Sequence, residues 1–328
     1  MRIGPALLLP LLLSACLTSP NDPSRSDQPN DTGLIGTWTV RKDMPIPRTE
    51  VTCAAHKETI YVVGGFDATN TATTHFHKYD AGADTWTALA SFPVAIHHTG
   101  LIARDDGLYA FGGYTGSFPF AGTNTVWHYD PDSNQWNLFT TLPRLRGAHA
   151  TAALEDHVYL IGGAPQQPGA ETYNNVDIYD FKTNTFRTGP SLSATREHLA
   201  GAAAAESVVA VGGRRMSLSN FGTTETLAAD ATSWTKAADM PTPRGGIAAA
   251  TWNDSVFVFG GEGTQGTFDE TESFDVTSGT WSTWPVTPHA RHGLCAAALA
   301  DGIHVIGGGP EPGLSVSAYH EVLSFVES

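Results

Sequence analysis

Apolar residues come in short runs that each end in paired glycines, and the runs recur at an even pitch. They read YVV, YAF, YLI, VAV, VFVF and HVI, closed by Gly64-Gly65, Gly112-Gly113, Gly162-Gly163, Gly212-Gly213, Gly260-Gly261 and Gly307-Gly308. Their first glycines stand 48, 50, 50, 48 and 47 residues apart. A run this short, bounded by glycine, predicts a buried strand ending where backbone geometry or close approach excludes a side chain. Each run follows a stretch of small residues and an acidic turn, and most of these stretches open on a proline-arginine turn, as in MPIPRTEVTCAAHKETIYVVGG over 44–65. Beyond the glycines comes an aromatic-acid step at Tyr79-Asp80, Tyr129-Asp130, Tyr179-Asp180 and Phe274-Asp275, and six residues after each acid stands Trp86, Trp136, Phe186 or Trp281. The fourth repeat is worn, with Ala229-Asp230 and then Trp234. No stretch sustains a helical period, so the pattern predicts an all-β chain with four strands to the repeat.

Six copies of this composite motif resemble the kelch family along residues 35 to 328. The resemblance implies one domain, a six-bladed kelch β-propeller in which each repeat is a four-stranded blade. Blades bury their faces only against one another, so the length of 328 residues does not mean two domains. The last glycine pair is followed by one more strand, YHEVLSFVES, and then the chain stops. GTWTV at 36–40 is an outer strand with nothing before it. Closure of the ring therefore expects Trp38 in the sixth blade beside the C-terminal strand, which also removes two open sheet edges.

Composition narrows the function classes. Charged residues are 16% and the formal net charge is −15, which gives no positive field for nucleic acid. The opening MRIGPALLLPLLLSAC has an early Arg2, an apolar core too short to span a bilayer, and Leu13-Ser14-Ala15-Cys16 at its end. It reads as a secretory address over 1–15, and its end resembles the lipobox of bacterial lipoproteins. The resemblance implies an acylated Cys16 and placement on the cell envelope, with Leu17 favouring the outer membrane. Residues 16–34, rich in Pro, Ser, Asp and Asn, then form a tether of roughly 25 Å, and the membrane is met through the lipid alone.

The alternating strand direction sends two sets of turns to opposite ends. One end collects fifteen acids against Lys57, Arg104 and Lys182, which turn chemistry explains as well as any function. The other collects Arg48, Arg146, Arg196, Arg244 and Arg291, each sixteen residues before a glycine pair, with Ile96 in the second repeat. Beside them stand Glu50, His97, His98, His149, Glu197, His198 and His292. Opening the inner strands, these arginines are expected to ring the mouth of the central channel and favour an anionic ligand. The competing expectation is that they bond loop carbonyls and acidic neighbours inside the scaffold. Among the loops after the glycines, Tyr114, Phe118, Phe120, Arg214, Arg215 and Phe221 are candidates to touch a partner.

Other chemistry is thin. Cys53 lies five residues past its arginine and Cys295 four past its own, so non-equivalent positions favour small buried thiols over a disulfide. His75 and His77 share one side of a strand without further ligands, so no metal site and no cofactor are expected. Nucleophile-elbow and phosphate-loop motifs are absent from the sequence. The favoured function is a monomeric binding module for a protein or an acidic glycan. The alternative is a sugar mutarotase similar to N-acetylneuraminate epimerase, with Glu50, Glu197, His98 and His198 as acid and base. Replacing Cys16→Ser is expected to abolish labelling by a fatty-acid probe, and persistent labelling would remove the lipid anchor.

Overall fold

The computed structural model describes residues 33–167, 172–215 and 219–327, and every regular element among them is a strand. Cys16 and the expected address and tether lie outside the described residues, apart from Gly33 and Leu34. Six four-stranded antiparallel sheets carry the six repeats as propeller blades. In the first five, the strands run from the axis outward in chain order, as with Ala150–Leu154, His157–Ile161, Val176–Asp180 and Thr185–Gly189 in the third blade. The sixth is composite. Leu34–Val40 lies outside His320–Glu327, with Trp38 opposite Leu323, so the expected closure by the N-terminal strand is present.

The innermost strands read TCAAH, GLIAR, ATAAL, AGAAA, AAATW and CAAAL. Small side chains suit positions where six strands converge on one axis. Between neighbouring blades lie apolar clusters, such as Ala200, Ala204, Val209 and Val211 against Ile247, Val256, Val258 and Phe274. A parity rule runs through them. Counted from the arginine position, even steps face the next blade (Ala248, Ala250) and odd steps face the previous one (Leu294, Ala296, Ala298).

That rule corrects the reading of the cysteines. Cys53 and Cys295 form a disulfide, with Cα atoms 5.7 Å apart across a sequence separation of 242. The one-residue offset that argued against pairing is what the geometry requires. Side chains alternate between faces along a strand, so residues meeting across a seam must sit at steps of opposite parity. The even step of Cys295 points forward and the odd step of Cys53 points back.

The glycine pairs owe their conservation along the chain to a contact between blades. The second glycine of each pair donates its N–H to the carbonyl at the arginine position of the next blade, at 2.7 to 3.0 Å all the way round, Gly308 to Arg48 included. At Gly162, where φ is +65°, an added Cβ would lie 2.6 Å from the Arg196 carbonyl. The outer aromatics latch the perimeter: the indole N–H groups of Trp38, Trp86, Trp234 and Trp281 donate to the carbonyls of Pro285, Lys42, Pro190 and Ala238. In the turns at the acidic end, Asp80, Asp130, Asp180 and Asp275 accept backbone N–H groups two or three residues on, as turn chemistry requires.

Closure makes two measurable claims. Deleting residues 34–40 should lower the melting temperature by many degrees, because it leaves the outer edge of His320–Glu327 unpaired in the sixth sheet. Reducing Cys53–Cys295 should cost about 3–5 kcal/mol for so long a loop, roughly 5–10 °C in melting temperature. A melt unchanged by dithiothreitol, or free thiols in the unfolded unreduced protein, would contradict the seam.

Candidate functional site

Two residues past each arginine position the backbone turns left-handed, at Glu50, His98, Ala148, His198, Gly246 and Gly293, with φ of 54°, 52°, 51°, 51°, 71° and 59°. These residues form a second hydrogen-bonded circuit around the channel mouth. His98, Ala148, His198, Gly246 and Gly293 each donate N–H to the carbonyl of the preceding counterpart at 2.8 to 3.3 Å, and Val51 closes the circle on Gly293 at 3.2 Å. Glycine takes this conformation freely. Glutamate, alanine and histidine each give up about 1 kcal/mol or more to hold it. Glycine at 293 also leaves room for its neighbour, since a Cβ there would fall 2.8 Å from the Glu50 carboxylate.

The circuit gathers polar side chains over a cavity of about 410 Å³ lined by the inner strands. His98 Nε2 lies 3.1 Å from Glu50 Oε2 and 2.9 Å from His198 Nε2, and His98 Nδ1 lies 2.6 Å from His97 Nδ1. His198 Nδ1 faces Glu197 Oε1 at 3.3 Å. Gln167 donates to the other oxygen of Glu197, and Arg214 is clamped between Glu197, at 3.7 Å, and Glu262. His292 Nε2 sits 3.7 Å from both Glu50 and Glu262 and bonds the Gly313 carbonyl at 2.7 Å.

Burial decides much of the protonation here. It holds His98 well below the ordinary imidazole range and pulls His97 and His149 down to about 3, so these rings are neutral. For Glu197, burial alone would raise the pKa, but His198 and Arg214 outweigh it and keep the carboxyl low. Glu262 is likewise lowered against its burial by His292 and Arg214. Three acidic side chains, Glu50, Glu197 and Glu262, share the mouth with one guanidinium, that of Arg214.

The expected ring of free arginines is not there. Arg48, Arg146, Arg196, Arg244 and Arg291 are all 0% exposed. Each reaches into its own blade and donates to the carbonyl of the first glycine of its pair, Gly64, Gly162, Gly212, Gly260 or Gly307. Four also hold a carboxylate from the third strand: Asp177, Glu225, Glu272 and Glu321. Arg48 has the His77 ring instead, at 3.3 Å, and burial without a counter-charge pulls it down to about 9. The guanidinium forks are filled by the scaffold, so an acidic ligand finds no arginine ring.

Other candidates are sorted by the same geometry. Glu50, His98, Glu197 and His198 converge as expected, joined by His292. His149 lines the channel, buried, with neither ring nitrogen bonded. Tyr114 and Phe120 do not face a partner: they are buried with Phe66 and Ala148 beneath the loops. Arg214 belongs to the mouth, whereas Arg215 is exposed, with its guanidinium 5.7 Å from the Phe221 ring. Phe118 is 66% exposed and stays a surface candidate.

Two signals in the sequence pointed to what was missed. Two residues before the aromatic of the third strand, or before Leu227 and Leu323 in its place in the fourth and sixth repeats, stand His77, Trp127, Asp177, Glu225, Glu272 and Glu321. The acids fall only in repeats that have the arginine, and Trp127 accompanies Ile96. Glu262 follows directly on a glycine pair, and that position pairs with the residue after the arginine, as Arg214 does with Glu197 and Glu262 with Gly245.

Comparison with known proteins agrees with this architecture. A family model described as the KLHDC2/KLHL20/DRC7 Kelch-repeats domain matches residues 31–213 and 149–325. Human Kelch-like protein 38 is 29% identical over 79 residues, 24% of this chain and 14% of that protein. Kelch-like protein terF of Aspergillus terreus is 31% identical over 112 residues, 31% of this chain and 23% of that protein. The chain thus spans less than a quarter of the length of either relative. A solved structure titled "Structure of YjhT" superposes with a TM-score of 0.73 at 20% identity, covering 86% of this chain and 96% of that one, a likeness of fold.

The arginines are now assigned to stability. Replacing Arg196→Ala strands Glu225 in the interior and should cost about 3–5 kcal/mol in chemical denaturation. A loss below about 1 kcal/mol would return these residues to the list of ligand contacts.

Proposed function

The chain belongs to the kelch-repeat family, and from that premise we propose that it is an interaction module taking a protein partner on the end of the propeller where the channel opens. The observation that carries this reading is the mouth itself. Glu50, His98 and His198 stand on a backbone held in a costly conformation by a closed circuit of hydrogen bonds, with Glu197, Glu262 and His292 beside them. Strain of that kind persists where a surface is built for a task. With three carboxylates against Arg214, the complementary group is basic or hydrogen-bond-donating, such as a lysine, an arginine or a chain terminus. Phe118 and Arg215 extend the contact onto the surrounding loops. An acidic glycan, expected when the arginines were read as free, is disfavoured by the same charges. We extend the proposal to a monomer displayed on the bacterial envelope through Cys16.

A second reading, sugar anomer exchange, is favoured by one observation: Glu50 and His198 each lie within hydrogen-bond reach of His98 over an open cavity. Proton transfer at a sugar needs groups so placed.

Binding of short peptides bearing Lys and Arg, followed by fluorescence anisotropy, should exceed that of matched Asp and Glu peptides. It should fall at least about tenfold in a Glu197→Gln, Glu262→Gln double variant that melts like the parent. Preference for the acidic peptides would overturn the module as described. Accelerated anomer exchange of sialic or uronic acids by NMR, lost in Glu50→Gln, would establish the second reading in its place.

A further inference from the structure

The His98–His198 contact does not explain itself as a hydrogen bond. The two ring nitrogens of His98 meet three other polar groups. One nitrogen faces His97 at 2.6 Å, and the other faces both His198 Nε2 at 2.9 Å and Glu50 Oε2 at 3.1 Å. Glu197 stands 3.3 Å from the far nitrogen of His198, Nδ1, so Nε2 is the nitrogen that His198 turns toward His98. Nitrogens from two rings and a carboxylate oxygen thus converge, with one ligand atom from each of Glu50, His98 and His198 within 4.8 Å of the others.

We propose that Glu50, His98 and His198 form a three-ligand site for a divalent first-row transition cation of the zinc class, with a further coordination position open to the channel. Two imidazoles and one carboxylate are the ligand set such ions take, whereas calcium and magnesium prefer all-oxygen shells. Bonds of about 2.0–2.1 Å at tetrahedral angles put ligand atoms about 3.3 Å apart; His98 stands 3.1 Å from Glu50 and 2.9 Å from His198, and all three ligand atoms lie within 4.8 Å of one another. Two observations independent of those distances point the same way. All three ligands occupy the left-handed position that glycine fills in the fifth and sixth blades and alanine in the third, so the fold keeps a strained backbone beneath each donor. Behind His198, the carboxylate of Glu197 is itself fixed by Gln167 and Arg214, the outer support that metal-bound histidines carry. His75 and His77, the pair weighed from the sequence, are unsuited, since His77 is occupied by the Arg48 guanidinium. Metal capture goes beyond the partner-binding reading and does not depend on it.

The test is a titration of the whole purified protein, stripped with a chelator, with zinc chloride in competition with a chromophoric indicator. One equivalent per chain is expected. Affinity should fall at least about 100-fold in His198→Ala and in Glu50→Gln, about 10–100-fold in Glu197→Gln, and not at all in His75→Ala. Cobalt should give the intense visible bands of a low-coordinate site, which His198→Ala abolishes. Should a variant fail to fold, anomalous scattering from a zinc-soaked crystal of the parent decides the matter: a peak among Glu50, His98 and His198 supports the site. A peak elsewhere, no stoichiometric binding, or folded variants that bind like the parent would overturn it.

Discussion

Everything in this molecule depends on a backbone hydrogen bond that repeats once per blade and must come out even at the last. The second glycine of each blade gives its N–H to the carbonyl at the arginine position of the next, and the sixth gives its own to the first. An array of stacked units has two ends unless the rotation per unit divides the circle, and then it has none. The apolar seams tolerate small errors of angle; the hydrogen bonds do not. At the junction where the chain's ends meet, three further connections hold the fit: the pairing of Leu34–Val40, the disulfide, and the bond from Val51 to Gly293.

The buried arginines belong to the same constraint. Each fixes the carbonyl of its own first glycine while its main-chain carbonyl serves the blade before, so a single residue ties the inside of a blade to its neighbour. A guanidinium in so dry a place needs a carboxylate and several carbonyls to be tolerable, and four of the five have both. With cations consumed by the scaffold, the mouth is left to carboxylates and imidazoles. Its chemistry follows from what the frame has already used.

Much of this was legible in the chain. Periodic glycines, the aromatic-acid step and the outer tryptophans gave blades, their number and the order of strands, because each mark answers a local demand of one blade. Trp38 and the orphan C-terminal strand disclosed the closure by simple counting. Relations between blades were harder. Cys53 and Cys295 looked mismatched because equivalence was judged along the repeat, while contact across a seam joins faces of opposite parity. The recurrence of the arginines is plain but their aim is not, for the partner of each lies about thirty residues on, two places before an aromatic or a leucine. Glu50, His98, Glu197 and His198 were recognised by type and position, but their convergence comes from the left-handed turn, which no spacing reveals.

Leu34 pairs with Glu327 at the outer margin of the sixth sheet, the place where the N-terminal segment joins the wheel. Any pull on the chain ahead of it is delivered to one peripheral strand rather than to the hub. That strand would peel first, as the weakest link in the load path, exposing the edge of His320–Glu327 to whatever stands nearby. The cross-link between Cys53 and Cys295 lies at the hub behind it, so the wheel would lose a spoke's rim without springing apart, and could be rezipped when tension is released.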